Sequence, residues 1–296
     1  MKVILLGTAA GGGFPQWNCA CRLCTSGATP RTQDCVAVSA DGRGWYLLNA
    51  SPDIRAQILA TRALRAGPGP REIPLRGVLL TDAELDHSLG LLMLREAGGL
   101  PVWAPDAVLH ALSAHFPARS IIDGYGGWDW SSTSDIKLDG LVVRAFPVSD
   151  KRPKYARSST EDGPWVVAYR IEDPATGGVL VYAPCLRGWP DGFDELTGDA
   201  DLVLLDGTFH AADEMSGATS ARVGDGAQLA MGHLPITGDG GSLARITRYR
   251  AARPRTRWAF THLNNTNPVL DPASAEHAAV LAGGAELPGD GTEFTL

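Results

Sequence analysis

Short runs of apolar and β-branched residues recur along the chain, each closed by Gly, Pro, Asp or Asn. Runs of about four to eight residues between turn-forming residues are typical of β-strands. Nine strands are predicted: Val3–Leu6, Cys35–Ser39, Trp45–Leu48, Gly77–Leu80, Leu141–Phe146, Trp165–Ile171, Val179–Tyr182, Leu202–Leu205 and Arg257–Phe260. The dipeptide Asp41-Gly42 predicts a hairpin turn between the second and third of them.

Helical patterns lie between these runs. Ser51-Pro52-Asp53 combines a capping residue with a proline at the first helical position, and so predicts a helix that continues to Leu64. Other helices are predicted at Ser88–Ala97, Pro105–His115, Ser242–Ala251 and Ala273–Ala282. Hairpins come first and strands then mix with helices, which predicts two sheets packed face to face with helices outside, a four-layer α/β sandwich.

The composition is that of one ordinary globular domain, which we expect to span residues 1–296. Hydrophobic residues make up 44% and charged residues 20%, and the net charge of -7 argues against a nucleic-acid partner.

No apolar run is long enough to cross a membrane, and the apolar start breaks at Gly7. We therefore predict a first strand there and a cytoplasmic protein without membrane insertion. Five cysteines in a reducing compartment indicate metal binding before disulfides. A homodimer is compatible with the sequence, which does not fix the oligomeric state.

Three cysteines fall within six residues, at Cys19, Cys21 and Cys24. Thiolates this close repel one another until a metal neutralises them, so the cluster predicts a closed, structural zinc site rather than three inert buried thiols. Such a site needs a fourth ligand from elsewhere in the chain. His233, in Gly-His-Leu-Pro, is the candidate.

A second candidate site begins with Asp86 and His87, which follow the predicted strand Gly77–Leu80. Side chains at the end of a strand project from a rigid element into a loop cleft, where metals are commonly held. The alternative is that Asp86 only caps a helix starting near Ser88 and that His87 is incidental.

His262 completes this set, because it ends another predicted strand. Two histidines and one carboxylate match the facial triad of non-haem iron(II) oxygenases, which leaves coordination positions open. The polar segment Asn264–Pro268 offers amides that could orient a carboxylate-bearing substrate, although Asn and Pro also favour plain turns.

In the order of these motifs the sequence resembles the metallo-β-lactamase superfamily, in particular the pyrroloquinoline quinone biosynthesis protein B family. The segments that resemble that family are Phe14–Cys19, Asn49–Ile54 and Asn264–Pro268. The resemblance implies the αββα sandwich of the superfamily. A related carbon–phosphorus lyase phosphodiesterase holds a structural zinc with a Cys-x-Cys-x-x-Cys run and a later Gly-His, which implies the set Cys19, Cys21, Cys24 and His233 here.

Departures from the superfamily pattern affect the implied mechanism. Asp82 and Glu84 stand where two metal-binding histidines are usual, no histidine lies near Asp150, and Cys185 stands nearest to the position of the bridging aspartate. Asp206 is a candidate for a carboxylate that supports a ligand from behind, and Cys185 is either a fourth ligand or a residue that only lines the cleft. The resemblance therefore implies a single open site of Asp86, His87 and His262 that uses iron(II), although zinc can also occupy it.

The implied activity is oxygen-dependent hydroxylation of the tyrosine part of a Glu–Tyr cross-linked precursor of pyrroloquinoline quinone, a small-molecule partner. Two other functions stay open on the sequence alone. One is a metal-dependent hydrolase, and the other is a carrier of the quinone or of its precursor without catalysis.

Overall fold

The computed structural model of the chain describes residues 1–215 and 231–296. Thirteen strands among these residues form one sheet of seven strands and one of six. They are β1 (Lys2–Gly7), β2 (Cys35–Ser39), β3 (Trp45–Leu48), β4 (Leu75–Leu79), β5 (Val102–Ala104), β6 (Trp130–Ser132), β7 (Val142–Ser149), β8 (Val166–Glu172), β9 (Val179–Ala183), β10 (Leu202–Asp206), β11 (Arg257–Thr261), β12 (Ala285–Glu286) and β13 (Glu293–Thr295).

Each sheet has an antiparallel half and a parallel half. The strand orders are β13-β1-β2-β3-β4-β5-β6 and β12-β11-β10-β9-β8-β7. Strands β3 to β6 pair in parallel, and so do β9 to β12. The carboxyl ends of the parallel strands in a sheet lie at one edge, which is where open α/β sheets bind their ligands.

The two sheets pack against each other through one apolar layer. Leu5 and Val38 of the first sheet share a buried cluster with Leu180 and Leu204 of the second. These residues alternate along β1, β2, β9 and β10 with others that point the opposite way, so these four strands are buried on both faces.

Helices cover the outer face of each sheet. They are α1 (Ile54–Ala60), α2 (Leu85–Ser88), α3 (Gly90–Met93), α4 (Asp106–Ala114), α5 (Ala118–Asp123), α6 (Phe193–Leu196), α7 (Ser242–Ala252) and α8 (Ala275–Ala282), with 3₁₀ turns at Arg62–Leu64, Thr133–Asp135, Lys154–Ala156 and Pro268–Leu270. Leu47 packs with Ile54 and Leu112 outside the first sheet, and Val203 packs with Val280 outside the second. The predicted four-layer sandwich is confirmed. No helix among the described residues is long and apolar enough to span a membrane.

All nine predicted strands are present, with shifts at their ends, and four further strands were not predicted. The additional strands β5, β6, β12 and β13 contain only two or three residues each. Periodicity cannot be read over so few positions, so these strands depend on their partners in the sheet.

The helix predicted at Ser88–Ala97 begins and ends earlier, as α2 and α3. The cap residue is Glu84, so Asp86 lies inside the first turn and is not the cap, and that alternative for Asp86 is wrong. Gly90 explains the close docking of this segment, because a Cβ there would lie 2.3 Å from the carbonyl oxygen of Ser51. The Gly90 amide donates to the carbonyl of Ala50 at 2.9 Å.

Candidate metal centre

His87 lies in the short helix that follows β4 and points inward. Its Nδ1 lies 2.9 and 2.8 Å from the two carboxylate oxygens of Asp82. The carboxylate accepts, so we assign the proton to Nδ1 and a lone pair to Nε2. That Nε2 is buried and has no hydrogen-bond partner. A buried imidazole nitrogen with a free lone pair is suited to binding a cation.

His262 follows β11 with a backbone φ of 58°, a left-handed value rare for a residue with a side chain. Its Nδ1 lies 2.8 Å from Oγ1 of Thr208. The Thr208 hydroxyl donates its own hydrogen to Asp206 at 2.7 Å, so it accepts from the imidazole. The lone pair of His262 is therefore also on Nε2, as it is in His87.

Asp86 meets both imidazoles. Its Oδ2 lies 3.2 Å from Nε2 of His262 and 4.0 Å from Nε2 of His87. The loop that follows β1 packs closely on this carboxylate, because a Cβ on Gly11 would lie 3.1 Å from the same oxygen. The structure thus brings together the three residues proposed from the sequence for the open site.

The charges of this site favour a cation. Burial alone would lower the pKa of His87, but Asp82 and Asp86 outweigh burial and raise it to about 10. Burial would raise the pKa of Asp82, but His87 lowers it to about 2. The pKa of Asp86 is likewise held low by His87 and His262 against the effect of burial. A divalent metal that displaces the Nε2 protons would face two imidazole lone pairs and an ionised carboxylate, a donor set that suits it.

A buried polar network supports both histidines from behind. The hydroxyls of Tyr182 and Thr261 donate to Asp34, whose pKa is raised by its burial. Asn49 donates to the Tyr182 hydroxyl at 3.1 Å and accepts from the Thr81 amide at 2.9 Å. This network was not foreseen, since its members lie singly within buried strands or next to their ends, where one polar residue forms no chemical pattern.

The network reaches the centre at two points. The Thr81 hydroxyl donates to Asp82 at 2.8 Å, next to His87. Thr261 directly precedes His262 in the chain. Buried networks of this kind rigidify the groups they join when every member is satisfied.

Asp82 and Glu84 do not form a second metal site with the described residues. Besides His87, Asp82 accepts from the amide of Glu84 at 2.9 Å. Glu84 turns away and pairs with the ammonium of Lys151 at 2.7 Å. Asp82 therefore orients a ligand, and Glu84 belongs to a partly buried ion pair.

Cys185 follows β9 and is buried beside the centre. Its sulfur, a nitrogen of His87 and a nitrogen of His262 lie within 4.8 Å of one another. Burial raises the pKa of the thiol well above its usual range, and Asp82 raises it further.

The prediction that His233 joins the thiol cluster is wrong, because the structure places its ring elsewhere. Its Nδ1 lies 2.8 Å from Asp206, and its ring stacks on that of His262 with centroids 5.2 Å apart. His233 is grouped with Asp206 and His262, not with the cysteines. The loop is fixed there by backbone hydrogen bonds, including one from Leu234 to Leu186 at 2.6 Å, which the sequence does not reveal.

Asp206, His233 and His262 resemble a second ligand set, but hydrogen bonds already occupy the carboxylate. Asp206 accepts from the Leu186 amide at 2.7 Å and from the Thr208 amide at 3.0 Å, in addition to the Thr208 hydroxyl. Burial alone would raise its pKa, but His233 outweighs burial and lowers it. Asp206 therefore orients Thr208 and the two histidines around it.

The three thiols of Cys19, Cys21 and Cys24 do converge, with their sulfurs within 4.8 Å of one another. Asn265, from the second half of the chain, contacts this cluster. Its side-chain amide donates to the Cys24 sulfur at 3.4 Å, and its backbone carbonyl oxygen accepts from the Cys21 thiol at 4.0 Å. Asn265 was missed because an asparagine is not among the usual zinc ligands.

The side-chain amides of Asn264 and Asn267, in the segment Asn264–Pro268, hydrogen-bond to other groups of the protein. The Asn264 amide donates to Thr266 at 2.6 Å, and that of Asn267 donates to the Gly207 carbonyl at 2.8 Å. Thr266 in turn donates to Glu214 at 2.5 Å. These amides hold the loop after His262 in place, so the expectation that they orient a substrate is not supported.

Comparison with known proteins agrees with this arrangement. Residues 44–262 match the family model of the β-lactamase superfamily domain. A diphosphatase of the PhnP family shares the fold, with a TM-score of 0.67, 20% identity and coverage of 99% of this chain and 96% of that one. The family model and the shared fold thus place the chain in the class of metallo-β-lactamase-fold proteins.

Closer relatives narrow this class. The chain is 41% identical to the coenzyme PQQ synthesis protein B of Cupriavidus necator, over 100% of this chain and 99% of that protein. It is 39% identical to that of Pseudomonas aeruginosa, over 100% of both. The crystal structure of zinc-bound PqqB from Methylobacterium extorquens has a TM-score of 0.87 and 35% identity, with 100% of both chains covered. The chain belongs to the coenzyme PQQ synthesis protein B family.

Proposed function

We propose that this protein acts in the biosynthesis of pyrroloquinoline quinone as a non-haem iron(II)- and oxygen-dependent hydroxylase. The substrate would be the tyrosine-derived part of the Glu–Tyr cross-linked precursor. The observation that supports the chemistry is the convergence of Asp86, His87 and His262, with both imidazole lone pairs turned inward. Family membership supports the pathway, through the relatives named for this synthesis.

Asp86, His87 and His262 would hold the iron, which when bound supplies the activation of oxygen. Three protein ligands on one face leave positions for substrate and oxygen. Zinc can take the same site, because its affinity generally exceeds that of ferrous iron. The zinc-bound relative supports metal binding by this fold. Cys19, Cys21 and Cys24 would hold a separate structural zinc.

The surrounding residues have two tasks in this proposal. Asp82 fixes the ring of His87 through Nδ1, and Thr208 does the same for His262. Both contacts keep the free lone pair on Nε2, the atom nearest to Asp86. Orientation of this kind raises the basicity of the ligand and holds the site in a productive geometry.

Hydrolysis by two metals is less well supported. A two-metal hydrolase needs a second ion about 3.5–4 Å from the first to generate and place hydroxide. The residues that stand in the positions of the missing histidines are engaged elsewhere, Asp82 with His87 and Glu84 with Lys151.

Anaerobic reconstitution tests the proposal directly. The protein is loaded with ferrous iron, mixed with the precursor and a chemical reductant, and then exposed to oxygen. Mass spectrometry should detect an added oxygen atom that derives from labelled oxygen gas. Oxygen-independent hydrolysis of an ester or phosphodiester would contradict the proposal in favour of the hydrolase. Tight binding of the precursor or quinone without any turnover would favour the carrier.

A further inference from the structure

Cys185 differs from the other buried thiol of the described chain. The thiol of Cys35 donates to the carbonyl oxygen of Asn49 at 3.2 Å, as expected of a sulfur packed inside a sheet. The sulfur of Cys185 makes no hydrogen bond within the described residues, although only 5% of the residue is exposed. It lies instead within 4.8 Å of ring nitrogens of His87 and His262.

A second observation points to the same place. His87 Nε2 is a fully buried nitrogen without a hydrogen-bond partner, and Asp82 fixes its lone pair toward the centre. A buried polar nitrogen left unpaired costs free energy, of the order of about 1–3 kcal/mol, whether it carries a proton or a lone pair. An unsatisfied nitrogen and an unsatisfied sulfur beside each other are explained together if one ion binds both.

We propose that the thiolate of Cys185 is a further metal ligand of the open site, beside Asp86, His87 and His262. This inference rests on the metal site of the proposed function and deepens it. The ligand set then holds one soft sulfur, two borderline nitrogens and one hard oxygen, which suits a borderline divalent cation such as zinc, cobalt or ferrous iron. Four protein ligands leave about two positions of an octahedron for substrate and oxygen.

The position of Cys185 in the chain makes this contact rigid. Pro184 and Cys185 directly follow β9, whose neighbours β8 and β10 hold it on both sides. The next amide, that of Leu186, donates to Asp206 at 2.7 Å. The turn that presents the sulfur is therefore tied to the carboxylate that also orients Thr208 and His262.

Cobalt(II) spectroscopy of the full-length protein tests the inference. The Cys19–Cys24 cluster is first filled with zinc, and cobalt(II) is then added to the wild type and to Cys185→Ala and Cys185→Ser. A thiolate bound to cobalt(II) gives an intense charge-transfer band in the near ultraviolet. The difference spectrum between wild type and variant at equal cobalt content removes any contribution from the remaining thiols.

The wild type should show the band, and both variants should lose it while still binding cobalt through the other three ligands. Their affinity should fall at least about tenfold, since even a lost partner of a ligand costs about 10–100-fold. Cys35→Ser is the matched control, because its hydroxyl can keep the bond to Asn49, and its spectrum should equal that of the wild type. Thermal unfolding checks that each variant is folded.

Different results would overturn different claims. If the variants bind cobalt with an unchanged spectrum and affinity, Cys185 is no ligand, while the hydroxylase proposal stands. If the folded wild type binds no cobalt beyond the thiol cluster, the open site itself is wrong and both proposals fail.

Discussion

The Nε2 atom of His262 lies 3.2 Å from Oδ2 of Asp86, although 176 positions separate the two residues in the chain. Thr208 holds the proton of His262 on Nδ1, so a lone pair and an ionised carboxylate face each other. Two acceptors this close repel unless a cation lies between them, either a proton on the ring or a bound metal. The contact is therefore the most direct structural indication of a cation site.

His262→Ala should abolish oxygen-dependent hydroxylation, with a loss of at least about 100-fold, since removing even a partner of a ligand costs about 10–100-fold. The thiol cluster uses separate ligands, so the structural metal should remain. Product formation and metal content per chain are the measurements. His110→Ala, at a half-exposed histidine paired with Glu161, is the control and should behave as the wild type. An undiminished rate in His262→Ala would refute the mechanism.

Asp82→Asn should weaken metal binding at the open site by about 10–100-fold. The asparagine removes the charge that fixes Nδ1–H of His87, so the ring loses its preferred tautomer and orientation. Titration with cobalt(II) against a competing chelator measures the effect. Glu84→Gln is the matched control, because Glu84 is a neighbouring carboxylate that binds Lys151 and not a histidine. Equal affinities for both variants would show that Asp82 does not act through His87.

The sequence predicted the open site because its residues share a position that patterns reveal. Asp86 and His87 come soon after the buried strand β4 of the first sheet, and His262 comes after β11 of the second. The carboxyl ends of parallel strands lie at one edge of their sheet, and the contact between His262 and Asp86 shows that these edges of the two sheets meet. The nine predicted strands were found for a similar reason, since each is an apolar run long enough to recognise.

The site residues that the sequence misplaced or missed depend on contacts between distant parts of the chain. His233 follows no predicted strand, so the sequence around it does not show where its side chain lies. It cannot tell a place beside the thiol cluster from the observed stack on the ring of His262. Asn265 approaches Cys24 only because the loop after β11 folds back to the N-terminal segment. Thr208 gave a weak signal, two residues after a carboxylate that ends a buried strand, but its contact with both histidines is tertiary.

Cys19→Ser should mainly destabilise the fold. The three thiols join the N-terminal segment to the loop that contains Asn265, so a metal held there would link two distant parts of the chain. We expect the melting temperature to fall by several degrees, because about 1 kcal/mol corresponds to about 2–4 °C in domains of about 150–250 residues. Calorimetry with and without added zinc measures this change. A variant that melts as the wild type does, with equal zinc content, would show that the cluster holds no structural metal.

Metal affinity at the open site should rise with pH. Without a bound cation, Asp82 and Asp86 raise the pKa of His87 to about 10 despite its burial, and Asp86 raises that of His262. A metal must displace the proton that each ring would otherwise hold on Nε2, so protons compete more strongly as the pH falls. Asp86 stays ionised throughout the neutral range, because its pKa is lowered. Each displaced proton should change the affinity about tenfold per pH unit, up to about pH 10 for His87.

Chelator competition at about pH 6, 7 and 8 measures the slope of metal affinity against pH. Asp82→Asn should make it shallower, because the loss of one carboxylate lowers the pKa of His87. An affinity independent of pH in the wild type would mean that the metal does not bind through these imidazoles.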